Sequence, residues 1–128
     1  MIDDKYHWLI DNLDDREPIV QFGIECDIGW TRLLHSLFEE LTHIDKTKST
    51  RITQIKEKFG TLRVYYILTH PVDEVVERLI QICINTAEQN SSHVCEKCGH
   101  PGTLKSNERH RVTCSPCEAQ YQKNKLGD

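Results

Sequence analysis

The chain is short of what large hydrophobic cores and membranes require. Apolar residues make up 38% of its 128 positions and aromatics 7%, with a single methionine. No run approaches the roughly 20 apolar residues of a spanning helix, which excludes that class. The opening Met1-Ile2-Asp3-Asp4-Lys5 lacks the basic-then-apolar run of a secretory leader. The expectation is therefore a cytoplasmic chain, in a compartment where thiols stay reduced. A length of 128 residues suits one compact unit rather than two ordinary domains. With so lean a core, stability must come partly from elsewhere, and a metal-stapled segment supplies it.

Charge is unevenly spread beneath the formal net of −4. Residues 1–45 carry 11 acidic and 3 basic side chains, whereas residues 46–63 carry 6 basic ones and Glu57 alone as acid. Four thiolates on one Zn²⁺ would lower the net charge further, to about −6. This balance disfavours bulk, sequence-independent DNA binding, which needs many phosphate contacts. A local anion site in the basic stretch remains open.

Hydrophobic periodicity places the elements. Tyr6, Leu9, Ile10 and Leu13 share one face of a short helix over residues 3–14, ended by Pro18. Ile19–Ile24 is a brief apolar run that suits a strand. Trp30, Leu33, Leu34, Leu37, Phe38, Leu41 and Ile44 form the apolar stripe of a helix over residues 30–44, with Asp27 and Gly29 as start signals. From Arg51 the period changes to two. Ile52–Lys58 and Leu62–Leu68 read as strands joined through Phe59-Gly60-Thr61, with Leu62, Val64, Tyr66 and Leu68 on one side. Pro71 suits the first turn of a further helix whose apolar face is Val72, Val75, Val76, Leu79, Ile80, Cys83 and Ala87. The fold class expected is α+β, with helices packed on a small antiparallel hairpin or sheet, followed by a C-terminal four-cysteine zinc ribbon. Its divisions are an α+β layer over 1–90, the ribbon over 91–121 and a polar tail over 122–128, within one compact unit. The end of the chain either frays or forms a short helix.

Cys95-Glu-Lys-Cys98 and Cys114-Ser-Pro-Cys117 carry the chemistry. Each pair lets two sulfurs from one tight turn reach a common ion, and the 15 residues between them suit a returning hairpin. Gly99 follows the first pair, where a knuckle must turn sharply. Pro101-Gly102 supplies another turn, and Thr103–Lys105 and Arg111–Thr113 supply the strands. Four thiolates close a tetrahedral zinc site with no open position, so its role is structural. The alternatives are a redox CxxC, unbonded cysteines, an iron centre with the same ligands, or one of His93, His100 and His110 replacing a sulfur. Cys83 falls on an apolar helix face and reads as a small hydrophobe. A nucleophilic Cys26 would need His35 or His43 to converge on it with Glu25 or Asp27, and no spacing enforces that. The expectation is a chain that is not an enzyme.

The run Gln54-Ile-Lys-Glu-Lys-Phe-Gly-Thr-Leu-Arg-Val-Tyr-Tyr66 sets Lys56, Lys58 and Arg63 around a turn, with Tyr65 beside them. It reads either as an anion or partner surface or as a solvated edge guarded by charge.

Taken in order, Glu25-Cys26-x-x-Gly29-Trp30, Ile55-Lys-Glu-Lys-Phe-Gly-Thr-Leu-Arg-Val-Tyr65, Ala87-Glu88-x-x-Ser91 and Cys95-x-x-Cys98-Gly99-x-Pro101-Gly102 resemble a group of small bacteriophage, prophage and bacterial proteins. That group carries a Lys-Glu-Lys-Phe-Gly-x-Leu-Arg motif and a C-terminal Cys-x-x-Cys zinc module. The resemblance spans residues 23–117, and this chain's longer acidic N-terminus and polar tail depart from the pattern. It implies a phage context, makes Lys56, Glu57, Lys58, Gly60 and Arg63 part of a recurring motif, and implies no catalytic residues. The function expected is a non-catalytic, zinc-stabilised module binding a host protein partner, such as a host or defence factor. Nucleic acid or a nucleotide held by the basic hairpin, and a minor structural role in the virion, are the rival readings.

Overall fold

The computed structural model describes residues 2–10, 24–107 and 109–127. Its order is helix, strand, helix, hairpin, helix, then a second hairpin and a closing helix. Helix α1 (His7–Ile10) follows a single 3-10 turn at Asp4–Tyr6, and Tyr6, Leu9 and Ile10 face inward as the periodicity predicts. The rest of that expected helix, Leu13, Pro18 and the apolar run up to Gly23 lie outside the described residues.

Strand β1 (Ile24–Glu25) pairs with β2 (Thr50–Lys58), which pairs in turn with β3 (Thr61–Leu68), giving the sheet order β1-β2-β3. The β2–β3 hairpin is antiparallel, with Ile55 opposite Val64 and Lys56 opposite Arg63. β1 runs parallel to β2 through Ile24–Ile55 and Glu25–Lys56, so the sheet is mixed rather than purely antiparallel. Two residues carry too little periodicity to reveal that direction.

Helix α2 (Thr31–Ile44) places Leu34, Leu37, Phe38 and Leu41 on the core side of this sheet. Helix α3 (Glu74–Asn90) adds Ile80, Ile84 and Ala87, and meets Ile52, Ile55, Leu62 and Val64 from the strands. Each fully buried aliphatic side chain in this core contributes about 1.5–3 kcal/mol. Helix α3 departs from the sequence reading in two ways. Its N-cap is Asp73, whose Oδ1 accepts from Val75 N at 2.8 Å, so Pro71 stands before the helix rather than in its first turn. The buried stripe is also rotated by one position. Val75 and Leu79 are exposed and Ile84 is buried, because the hairpin lies against the 76–80–84–87 face. The end of α3 also stitches the outer edge of β3. Glu88 Oε2 accepts from Val64 N and Ser91 Oγ from Leu62 N, both at 2.9 Å.

The turn between α2 and β2 is built on buried Asp45. Its carboxylate accepts from Thr50 Oγ1 (2.6 Å), Thr50 N (2.7 Å), Ser49 Oγ (2.9 Å) and Ser49 N (3.1 Å). Burial alone would raise its pKa, but these four donors outweigh burial and hold it below the usual 3.8. A group lowered in this way stabilises the fold at every pH above 3.8, and that contribution is lost as pH falls through its folded value. Asp45→Asn is therefore expected to cost about 1–3 kcal/mol near neutral pH. Urea melts of the two proteins should converge as pH is lowered through that window.

Candidate metal centre

Strands β4 (Thr103–Lys105) and β5 (Arg111–Thr113) form the second hairpin with Leu104 opposite Val112, on the residues the sequence predicts. The first knuckle closes when Cys95 N donates to His100 O and Gly99 N to Cys95 O, each at 2.8 Å. Gly99 sits at φ +84°, which a side chain would strain. The second pair opens helix α4 (Ser115–Gly127), whose first turn contains Pro116, where a missing N–H costs nothing. Helix α4 runs unbroken to Gly127, through the described part of the stretch read as a polar tail.

This hairpin and helix bring Cys95, Cys98, Cys114 and Cys117 together, with all four Sγ atoms within 4.8 Å of one another. Sulfurs bound at about 2.3 Å around a tetrahedral ion stand about 3.8 Å apart, so the donor set fits a metal ion. No other group of three or more histidine, cysteine and carboxylate ligands gathers among the described residues. His100 approaches to 3.3 Å from Cys98 Sγ through Nδ1, beside the sulfurs. His110 lies edge-on to Phe59, 6.1 Å between ring centres.

The four thiols are not equivalent. Cys95 is buried, yet backbone N–H groups of Cys114, Cys98 and Lys97 outweigh that burial and bring its pKa down to about 7. Hydrogen bonding to Cys114, together with burial, pushes Cys117 up to about 12. Cys98 is exposed, while Cys114 and Cys117 are half-buried.

Arg111, only 3% exposed, locks the hairpin to α4. Its Nε and Nη2 donate to Glu118 Oε1 (3.0 Å) and Oε2 (2.6 Å), and its guanidinium lies 4.1 Å from the Tyr121 ring centre. Glu118 also accepts from Thr113 and Gln122, and Arg111 foremost holds its pKa down to about 2.

The ribbon is welded to the α+β layer at two glycines. Gly29 N donates to Glu96 O at 2.7 Å, Asp27 N to Glu96 Oε2 at 3.0 Å, and Trp30 Nε1 to Val94 O at 2.9 Å. Lys97 Nζ donates to Asp27 Oδ2 at 2.6 Å. A Cβ on Gly29 would lie 2.2 Å from Glu96 O and 2.3 Å from Cys95 O. Asp27 and Gly29 thus hold the knuckle, and Asp27 makes no side-chain capping bond. The second contact is the β2–β3 turn. Gly60, at φ +87°, brings its Cα so close that a Cβ would sit 2.8 Å from Leu104 Cδ1 and 2.9 Å from Arg111 N. Glu57 Oε2 caps this turn by accepting from Gly60 N at 2.7 Å.

The basic hairpin residues share one face. Lys56 opposes Arg63, Gln54 opposes Tyr65 and Lys58 opposes Thr61, on the side away from buried Ile55, Leu62 and Val64. Tyr65 is 41% exposed and Phe59 68%. Arg63 Nη1 folds back onto Thr61 Oγ1 and Leu62 O, and Glu25 is the neighbour of Lys56 across β1.

Neither leftover cysteine is primed as a nucleophile. Burial first, then the carboxylates of Glu96 and Asp27, push Cys26 up to about 12. Cys83 donates to Glu40 Oε2 at 3.4 Å and is only half-buried, with burial and that carboxylate holding it up at about 11. His35 packs its ring against Tyr6. Glu96 and Arg111 are the site residues that the sequence reading missed, while Asp27, read as a helix start or a partner for Cys26, holds the knuckle instead; only the position of Glu96 inside the first CxxC hinted at a role.

No family model, curated protein or solved structure matches the chain. No described helix is long and apolar enough to cross a membrane.

Gly29→Ala is expected to separate the first knuckle from α2 at a loss of about 1–3 kcal/mol, the range for overpacked sites. Amide exchange should then speed at Gly29's neighbours and at Val94–Cys98, while Ile52 and Ile55 stay protected.

Proposed function

We propose that the four cysteines hold one Zn²⁺ and that the chain is a non-catalytic binding module. Zinc here supplies folding free energy by tying two knuckles that no hydrophobic core holds together. The observation that carries this is the closed all-sulfur tetrad, which leaves no coordination position for water or substrate. The neutral thiols of Cys26 and Cys83 support the non-catalytic half of the reading.

The binding face on this reading is the open side of the β2–β3 hairpin, through Lys56, Lys58, Arg63 and Tyr65. Like charges directly opposed across a hairpin destabilise it, and Lys56 faces Arg63 in that way. Among the described residues, Glu25, beside Lys56 on the other strand, is the one carboxylate next to this pair in the sheet register, which leaves Lys58 and Arg63 for an acidic partner. The partner proposed is a protein of a bacterial host, with the chain acting in the cytoplasm as a phage-encoded modulator. The resemblance to phage and prophage proteins supports that context. The second reading is single-stranded nucleic acid, favoured by the exposed rings of Tyr65 and Phe59 beside the cations.

Native mass spectrometry of protein purified without added metal tests the zinc half, with one zinc per chain expected and an apo mass contradicting it. Charge reversal tests the surface. Lys58→Glu and Arg63→Glu should abolish cross-linked capture of a host protein from lysate while leaving the zinc stoichiometry intact. Titration with oligothymidylate separates the readings. Affinity falling steeply between about 50 and 200 mM salt supports nucleic acid, and no binding at either salt supports the protein partner.

A further inference from the structure

One corner of the metal centre stands open. Cys98 is the exposed member of the tetrad, and it lines an open cavity of about 700 Å³ with Arg32, His35, Gly99, His100 and Pro101. Cys95 is fully buried and Cys114 and Cys117 are half-buried, so Cys98 is the most accessible of the four to a small solute. His100 Nδ1 stands 3.3 Å from Cys98 Sγ, and Cys114 Sγ stands 3.5 Å away on the opposite knuckle. A disulfide requires about 2.05 Å, so these two sulfurs need to close by only about 1.5 Å.

We infer that Cys98 is an oxidation site for hydroperoxides, and that its oxidation links it to Cys114 and releases the metal. This rests on the zinc reading above, because loss of the bound metal is the outcome inferred. In the first step the Cys98 thiolate attacks one oxygen of hydrogen peroxide. The O–O bond breaks, the electron pair leaves on hydroxide, and a solvent proton converts it to water; Cys98 becomes a sulfenic acid. In the second step the Cys114 thiolate attacks the Cys98 sulfur. The S–O bond breaks, hydroxide leaves and is protonated to a second water, and the disulfide forms. Two thiolates have given two electrons to one peroxide. Zinc keeps its charge and departs because two of its four ligands are gone.

The consequence reaches the fold through the same contacts that hold the knuckle. A Cβ on Gly99 would meet Gly29 O at 3.0 Å, so the loop that carries Cys98 rests on the start of α2. Losing the ion there loosens the seat of Gly29 and Trp30 as well as the ribbon. Peroxide would thus act on both units at once.

The experiment takes zinc-loaded, full-length wild-type protein, its loading confirmed by native mass, and adds about one equivalent of hydrogen peroxide. Zinc release is followed with a chromogenic chelator, and cysteine states are mapped by peptide mass with dimedone as the sulfenic trap. The expected result is zinc released in step with a Cys98–Cys114 linkage, with dimedone on Cys98 and with Cys26 and Cys83 still reduced. A first product on Cys26, Cys83 or Cys95 overturns the inference, as does zinc retained with all cysteines reduced. In those cases the zinc reading stands. Protein that binds no zinc before peroxide is added overturns both.

Discussion

The contact that fixes both halves of the molecule is the seat of the first cysteine knuckle on Gly29. At that point two backbones touch, with Gly29 N bonded to Glu96 O and no room for a Cβ between them. The indole of Trp30, buried at the head of the core, donates to Val94 O on the approach to Cys95. The hydrophobic core and the cysteine tetrad therefore share a wall. Burying Glu96 there raises its pKa, chiefly by desolvation, and the bond its carboxylate accepts from Asp27 N offsets part of that cost.

The basic hairpin takes on a double meaning in this light. Its turn at Phe59-Gly60 is a docking element, since Gly60 presses on Leu104 and Arg111 of the ribbon. Glu57 belongs to that task as the cap of the turn. Lys56, Lys58, Arg63 and Tyr65 lie on the opposite face of the same strands. One short run thus fastens the ribbon with its turn and leaves its cations to the outside.

Much of this architecture was legible because it rests on local rules. The Trp30–Ile44 stripe, the period-two hairpin and the CxxC spacing each identify an element within a window shorter than 25 residues. What stayed hidden depends on contacts between distant segments. Gly29 and Asp27 resemble helix-start residues in sequence, and only the approach of Glu96, close to 70 positions away, reveals their use. The face of α3 was misjudged by one position because Val75, Leu79 and Ile84 are interchangeable to a periodicity count. The hairpin decides which are covered. The parallel pairing of β1 was invisible for the same reason, as was the Arg111–Glu118 pair that ties β5 to α4.

On the proposed reading, a metal at the four cysteines holds the ribbon together and its effect extends into the α+β layer through Gly29. Hydrogen exchange on the metal-bound protein, before and after a strong chelator, tests it most directly. Protection is expected to collapse over residues 93–118 and to weaken at Gly29 and Trp30, while Ile52, Ile55 and Ile84 keep theirs. Unchanged protection across the ribbon after the metal has gone would contradict it.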